Sequence, residues 1–233
     1  VEAGHDISKA GENLALAFGS LYKTNFFSLM NPDGTPSSSS VAKPIKDFKE
    51  VLQYADVHIS RANKLLAAIS ADTIPSDKRQ LFEEFRAKVP DFKVYITQAI
   101  TYSDYLLKVV GTDLPKNYVI LLQNTSEKRP TGGFPGTYAV VAFEKGTLKK
   151  VVVDDVYNID GQIRENRIPP VPLQHITAQL GFRDVNWFAD FPTSAKKLEE
   201  YYRLYGGTKL DGVFAITPTG IEQARTSGRL LKA

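Results

Sequence analysis

Polar side chains that can bind an anion or a cation gather at three places in the second half of the sequence. Arginines hold phosphate groups through paired hydrogen bonds, and carboxylates hold divalent cations such as Mg²⁺. The same residue types also form structural Arg–Asp networks that do no chemistry. Both interpretations are open at this level. The residues are Arg129, Asp154, Asp155, Arg183, Asp184 and Asn186.

A glycine-rich loop surrounds Arg129. The apolar runs 118–123 and 137–143 on either side of it are typical of buried strands. A Gly132-Gly133 pair inside the loop lets the backbone approach a ligand closely. The alternative is a strained connection in which Arg129 is tied to a structural carboxylate.

The functional interpretation gives each of these residues a role. A third apolar run, 147–156, contains Asp154 and Asp155 near its end, so all three polar places can fall on one edge of a sheet. Two arginines that face two or three carboxylates can hold a phosphate or pyrophosphate with a cation between them. Substrate binding is then predicted for Arg129, Gly132, Gly133, Arg183 and Asn186, catalysis for Asp155 and Asp184, and a Mg²⁺ site for Asp154 and Asp155.

Three long helices are predicted for residues 1–113. Apolar residues recur at spacings of three and four over residues 7–29, from Pro44 to residue 71, and from Ser76 to residue 110. Pro90 interrupts the third helix without changing the phase of its stripe, so we expect a kink there. These stripes predict an antiparallel three-helix bundle that acts as a stalk or spacer. The predicted stripe of the third helix is Phe82, Phe85, Val89, Phe92, Ile96, Ala99, Ser103, Leu106 and Val110.

Residues 114–233 are predicted to form an α/β domain with a mixed sheet. Its three consecutive strands are followed by a short helix at 173–180 and by a helix that Thr193 or Ser194 caps and that runs to residue 205. A strand at 210–217 follows that helix and should lie parallel to a neighbour. Residues from 218 onward begin a further helix, and we expect the domain to lack closing elements. The predicted fold class is therefore α+β.

Several classes of function are disfavoured. The sequence has no cysteine, which excludes thiolate metal sites and a Cys nucleophile, and its three histidines are scattered. No Gly-Lys-Ser/Thr follows the Gly132-Gly133 pair, so it is not a P-loop. A net charge of +3 does not indicate nucleic-acid binding. No run of 18 apolar residues is present, and because the chain starts at Val1 we expect any anchor to precede it.

Motifs over about residues 116–220 resemble a bacterial family of unknown function. The resemblance implies an extracytoplasmic envelope protein that is membrane-anchored at full length, with a helical region before this domain. The motifs are Tyr118-Val-Ile-Leu-Leu-Gln-Asn124, Arg129-Pro-Thr-Gly-Gly-Phe-Pro-Gly-Thr-Tyr138, Val153-Asp-Asp-Val-Tyr157, Pro169-Pro170 and Arg183-Asp-Val-Asn-Trp-Phe-Ala-Asp-Phe-Pro-Thr-Ser-Ala195.

More distantly, the order of elements is similar to the LytR–CpsA–Psr family, which transfers lipid-pyrophosphate-linked glycopolymers onto the bacterial wall. The resemblance implies a fold of that type, arginines on the pyrophosphate and aspartates on magnesium. The sequence departs from that family in two motifs. The family's Arg-Ser-Asp-Thr loop is here Arg129-Pro-Thr-Gly, and its Arg-Asp strand end is Asp154-Asp155.

Two functions follow from the residues and the resemblance together. The first is a cell-envelope protein whose polar cleft binds or transfers a lipid-pyrophosphate-linked glycopolymer. The alternative is a non-catalytic structural or assembly module of the cell surface, which acts through contacts with envelope proteins. The departures from the transferase motifs favour the alternative, and the cluster of charges favours the first.

Overall fold

A computed structural model describes residues 1–23, 29–31, 33–220 and 222–223. The chain divides into two compact units, one of residues 1–33, 37–114 and 144–147, and one of residues 34–36, 115–143 and 148–233. The first unit contains α1 (Glu2–Lys23), α2 (Ala42–Ala67) and α3 (Ser76–Val109). The second contains β1 (Lys116–Asn124), β2 (Phe134–Glu144), β3 (Thr147–Asp155), α4 (Val156–Asp160), α5 (Phe191–Leu204) and β4 (Gly212–Ile216). The hairpin turn at 144–147, between β2 and β3, belongs to the first unit.

The helical unit packs around α2, which contacts both α1 and α3. Alanines at seven-residue intervals on α1 let the helix backbones approach closely, and larger aliphatic side chains fill the remaining space. Each helix therefore contributes one line of residues to the shared core. That core contains Ala3, Ala10, Ala17, Leu52, Ala55, Ile59, Leu66, Val89 and Ile96.

Only part of the predicted stripe of α3 is buried. Val89, Ile96 and Ser103 are buried as expected. The expectation that such a stripe lies in the core is wrong for Phe85, Phe92 and Leu106, which are 41, 51 and 52% exposed. These three share another line along α3, which lies three residues further along the chain and so about 60° around the helix axis from the buried line. The outward face of α3 is defined here as Leu81, Phe85, Phe92, Tyr95, Tyr102 and Leu106, all of them exposed.

The sheet-containing unit has a four-stranded mixed sheet with the order β3-β2-β1-β4. β1 pairs with β2 antiparallel and with β4 parallel, with Val119 opposite Val140 on one side and Val213 on the other. The predicted strands are confirmed, β1 and β2 with wider and β3 and β4 with slightly narrower bounds, and β4 is parallel to its neighbour as expected. The protein thus has the predicted α+β class with a mixed sheet.

One face of this sheet is covered by α4, α5 and a 3₁₀ segment, Phe182–Trp187. Phe182 and Leu198 are completely buried against Val119 and Val140 on the sheet. The ring of Tyr138 on β2 meets that of Phe182 edge to face, with 5.4 Å between the ring centres. This core fixes the 3₁₀ segment, and so Asp184 and Asn186, against the sheet.

Several local predictions need correction. The helix predicted at 173–180 is only a 3₁₀ turn, Val171–Leu173, since the following residues bond in irregular turns. Asp190 rather than Thr193 or Ser194 caps α5, because its carboxylate accepts from Thr193 N. Pro75 takes the N-cap position of α3, which continues through Pro90 as predicted, and the kink expected at Pro90 stays a prediction.

The remaining predictions concern the ends of helices. α1 begins at Glu2, earlier than predicted, and the predicted continuation over 24–28 lies outside the described residues. A helix begins at 218–220 as expected, and most of its predicted continuation also lies outside them. Among the helices that the structure describes, none combines the length and apolar character needed to cross a membrane.

Candidate functional site

The loop between β1 and β2 is folded back on itself by its own backbone. Phe134 N donates to the carbonyl of Glu127, and Gly132 N donates to that of Arg129, both at 3.0 Å. Gly132 has a φ of 124°, a region that L-residues avoid. A Cβ at Gly133 would collide with the backbone carbonyl of Asn124. The glycines thus allow close packing of the loop against its own chain.

The guanidinium of Arg129 is held between two carboxylates. Its Nη2 lies 2.8 Å from Glu127 Oε1, and its Nη1 lies 3.5 Å from Asp184 Oδ1. The group also stacks over the Phe134 ring, 5.2 Å from the ring centre. Only 9% of the Arg129 side chain is exposed. The positive charge is therefore compensated within the chain.

Asp184 is the buried centre of the polar cluster, with 3% of its side chain exposed. Its Oδ2 accepts a hydrogen bond from Gly181 N at 3.3 Å and lies 3.7 Å from Arg183 Nε. Burial raises the pKa of Asp184 above its ordinary value, although the Gly181 N–H and the charges of Arg183 and Arg129 act in the opposite direction. Removing this carboxylate from water thus outweighs the stabilisation that its partners provide.

Arg183 is bound mainly to a residue that the sequence interpretation missed. Its Nη1 pairs with Asp160 Oδ2, and its Nη2 donates to Thr177 Oγ1 at 2.8 Å. Asp160, at the end of α4, also accepts from Phe182 N. A Cβ on Gly181 would lie 2.6 Å from Asp160 Oδ1, so this glycine permits the approach. Arg183 keeps 27% of its side chain exposed.

Asn186 joins the loop to the 3₁₀ segment. Its Nδ2 donates to the carbonyl of Gly133 at 2.7 Å, and the residue is fully buried. Gln123, buried at the end of β1, donates to Thr131 Oγ1 at 2.9 Å. The Oδ1 atom of Asn186 has no hydrogen-bond partner. These contacts hold the loop in one conformation.

The carboxylates of Asp154 and Asp155 accept hydrogen bonds at the start of α4. Asp154 accepts from Tyr138 Oη at 3.2 Å and from Asn158, and Asp155 accepts from Tyr157 N at 2.8 Å as the N-cap of α4. The hydrogen bond from Asn158, followed by those from the Asp155 N–H and Tyr138, lowers the pKa of Asp154. Among the described residues, no three Asp, Glu or His side chains converge as a metal site would require. The Mg²⁺ site expected at Asp154 and Asp155 stays a prediction.

The structure brings most of the predicted site residues into one network. Asp184 contacts both arginines, and Asn186 binds the Gly133 carbonyl. The hydrogen bonds of Asp154 and Asp155 instead go to Tyr138, Asn158 and the backbone at the start of α4. A cavity of about 40 Å³ opens beside Arg183, with Asp160, Gln179 and Gly181 in its wall. This volume suits a few water molecules, whereas a pyrophosphate needs considerably more room.

A family model described as "Protein of unknown function (DUF4012)" matches residues 113–224. The match spans just under half of the chain and falls mainly on the sheet-containing unit. No curated protein and no solved structure matches the chain. The resemblance to that family is therefore one of sequence over the sheet unit, and it assigns no activity.

Sequence reasoning missed Gln123, Thr131, Asp160 and Gly181 within the matched region. Gln123 offered a signal, because a polar amide that ends an apolar strand pattern needs a buried partner. Asp160 offered none, since its partner Arg183 lies 23 residues away along the chain. A contact across that distance depends on the tertiary fold.

Proposed function

We propose that the protein is a non-catalytic assembly module of the bacterial cell envelope, which works outside the cytoplasm through contacts with other protein chains. The observation that carries the proposal is the outward face of α3. Large apolar side chains are normally buried, and a contiguous exposed set of them marks an interaction surface. Tyr95 and Tyr102 are 66 and 63% exposed.

Two concave surfaces on α3 add to this argument. One, of about 460 Å³, has Val94, Tyr102 and Tyr105 in its wall. The other, of about 430 Å³, has Leu81 and Phe85 in its wall. Grooves lined by apolar and aromatic side chains on a helix are the surfaces onto which a partner helix packs.

The polar cluster supports the same proposal. Arg129 is engaged by Glu127 and Asp184, and Arg183 is engaged by Asp160. A phosphate that entered would have to displace these carboxylates, and Asp184 and Asp160, which are buried, would lose their charged partners. The network therefore favours a structural role over anion binding.

The proposal includes a finer description of the fold. We propose that α1, α2 and α3 form an antiparallel stalk and that the sheet unit is related to LytR–CpsA–Psr proteins. The shared helical core supports the stalk. The order of β1, the β2–β3 hairpin, α5 and the parallel strand β4 supports the relationship. Membrane anchoring of the full-length protein is part of the same proposal.

A photo-crosslinking experiment in living bacteria tests the assembly role. A benzophenone amino acid placed at Tyr102 should form adducts with another protein chain on irradiation. The matched control is Tyr54 on α2, which is 56% exposed and does not belong to the outward face. The proposal is overturned if Tyr102 gives no protein adduct, or gives only those that Tyr54 also gives.

Another candidate function, binding of a lipid-pyrophosphate-linked glycopolymer, is favoured by one observation. The exposed part of Arg183 borders the small cavity, so a rearrangement there would present a cation to a ligand. Titration of the protein with a short-chain polyprenyl pyrophosphate and Mg²⁺, followed by calorimetry, tests it. Binding that Arg183→Gln abolishes would establish this candidate, and an absence of heat would remove it.

A further inference from the structure

We propose that a second copy of this chain packs on the outward face of α3, with the two α3 helices antiparallel. The inference rests on the proposed function and names the partner. It makes the protein a symmetric dimer in which each copy offers the same surface, as in most soluble homo-oligomers.

The outward face follows the repeat of a two-helix seam. Spacings of four and three residues alternate without a break from Leu81 to Leu106, which is the a/d pattern of a coiled coil. The helix is continuous across this span, Ser76–Val109. The eight positions of the repeat are Leu81, Phe85, Lys88, Phe92, Tyr95, Ala99, Tyr102 and Leu106.

The size of the face suits a dimer. A large aromatic side chain presents roughly 150–250 Å². With the exposed fractions of its six apolar members and of Tyr105, which flanks the seam, the face offers roughly 800 Å² per copy. A specific interface of standard size takes roughly 800 Å² from each partner. One further copy of α3 is therefore enough to cover the face.

The pattern distinguishes an antiparallel from a parallel pair. In a parallel pair each position faces its own counterpart, so the two copies of Lys88 would meet inside the seam. Like charges in such a position are destabilising. Lys88 is the one charged residue among the eight positions. An antiparallel pair removes this repulsion.

Antiparallel packing also matches side chains by size. A register that aligns a with d positions places Phe92 against Tyr95 of the second copy and Phe85 against its Tyr102. Leu81 then faces Leu106. Lys88 faces Ala99, the smallest side chain of the repeat, which leaves room for the aliphatic stem while the ammonium group reaches water. The face is thus complementary to itself.

Light scattering and sedimentation equilibrium test the dimer with the full chain. We expect a dimer at concentrations on the order of 100 μM, a range that detects weak pairs of this interface size. The variant Phe92→Glu/Tyr95→Glu should raise the dissociation constant by at least ~100-fold, because buried charges would be unpaired. Tyr54→Glu on α2 is the matched control and should leave it unchanged.

Disulfide trapping tests the orientation, and the natural chain has no cysteine to interfere. The double variant Leu81→Cys/Leu106→Cys should form covalent dimers on mild oxidation, whereas each single variant should not. The two sites in one copy are about 38 Å apart along the helix, so they cannot bond to each other. Dimers of the single variant Leu81→Cys would show a parallel pair and overturn the proposed arrangement.

The outcomes separate this inference from the assembly role. A chain that stays monomeric, or a dimer that survives Phe92→Glu/Tyr95→Glu, overturns the second copy as the partner. If Tyr102 then crosslinks to a different envelope protein, the assembly role stands without the dimer. If Tyr102 crosslinks to nothing, both proposals fall.

Discussion

The polar end of the sheet and the outward face of α3 differ in whether their side chains have partners within the chain. At the sheet end, Arg129, Asp184 and the Nδ2 atom of Asn186 have hydrogen-bond partners within their own unit, and only the Oδ1 atom of Asn186 among the side-chain polar atoms of these three has none. On α3, aromatic side chains such as Tyr95 and Tyr102 extend into solvent. By residue type alone, the polar sheet end has the composition of a functional site, whereas the apolar line on α3 has that of a structural core.

We therefore expect apolar surface that is left exposed to indicate a binding role better than residue type does. A charged residue whose partners lie in its own chain has little left to offer a ligand, because replacing those partners leaves them buried and unpaired. An exposed apolar residue gains free energy from any partner that removes it from water. Substitutions in the two regions test this contrast.

The largest expected difference is between two phenylalanines. Phe182 is fully buried in the sheet unit, so Phe182→Ala should lower the free energy of unfolding by about 3–5 kcal/mol. Phe92→Ala should change it by no more than about 0.5 kcal/mol, because the side chain already meets water. Urea titrations followed by circular dichroism, at concentrations low enough to keep the chain monomeric, provide the measurement. Equal losses of unfolding free energy in the two variants would show that Phe92 is packed in a core, and the proposed difference between the two regions would be wrong.

A smaller effect is expected at the centre of the polar network. Asp184→Ala should cost about 3 kcal/mol, because the Gly181 N–H and the guanidinium of Arg129 lose a buried acceptor. Asp184→Asn should cost less, since it keeps an acceptor oxygen and resembles the protonated acid. Denaturant titrations of the two variants against the natural chain measure the difference. A near-neutral Asp184→Ala would show that the network does not hold the loop.

The contribution of Asp184 to the free energy of unfolding should change with pH in a defined direction. The pKa of Asp184 is raised in the folded chain, so its contribution to stability is complete below the unfolded value of 3.8 and is lost as the pH rises through the folded value. The stability of the natural chain relative to Asp184→Asn should therefore fall between acidic and neutral pH. Denaturant titrations of both proteins across this range give the difference. The opposite trend would mean that the arginines outweigh burial.

The smallest expected effect on stability is that of Asp154, and its contribution changes with pH in the direction opposite to that of Asp184. Its pKa is lowered, so its contribution is present above pH 3.8 and is lost as the pH falls through the folded value. Asp154→Asn should cost about 0.5 kcal/mol near neutral pH, the scale of a partly solvated interaction. The cost should disappear in strong acid when unfolding is followed at pH 7 and pH 2. A cost that persists at pH 2 would point to packing instead.

Much of the fold was predictable from the sequence, because the spacing of apolar residues indicates which side of a helix or strand is buried. The strands, α2, α3 and the parallel placement of β4 were confirmed. The helix predicted at 173–180 was wrong, because the residues that follow the proline-rich passage 168–172 form irregular turns instead. Phe85, Phe92 and Leu106 share the spacing of core residues, and spacing does not say whether the partner belongs to the same chain.

The candidate site was predictable in composition and less so in its connections. The sequence interpretation brought Arg129, Arg183 and Asp184 together, and the structure places them in one network. It did not identify Asp160 as the partner of Arg183, because that pairing depends on how α4 lies against the 3₁₀ segment. Hence a structural Arg–Asp network could be named as an alternative from the sequence, whereas the partner of each charged group could be identified only from the coordinates.

The two apolar lines on α3 also bear on how the chain avoids misfolding. Their centres lie about 80° apart around the helix axis, so a rotation of that size would exchange them. The inner line of Val89, Ile96 and Ser103 is buried, and Val89 and Ile96 belong to the same core as Ala55 on α2. Exchanging the lines would bring the larger side chains of Phe92, Tyr95 and Tyr102 against the same core. Side-chain volume thereby selects which line turns inward, and it keeps the larger one at the surface.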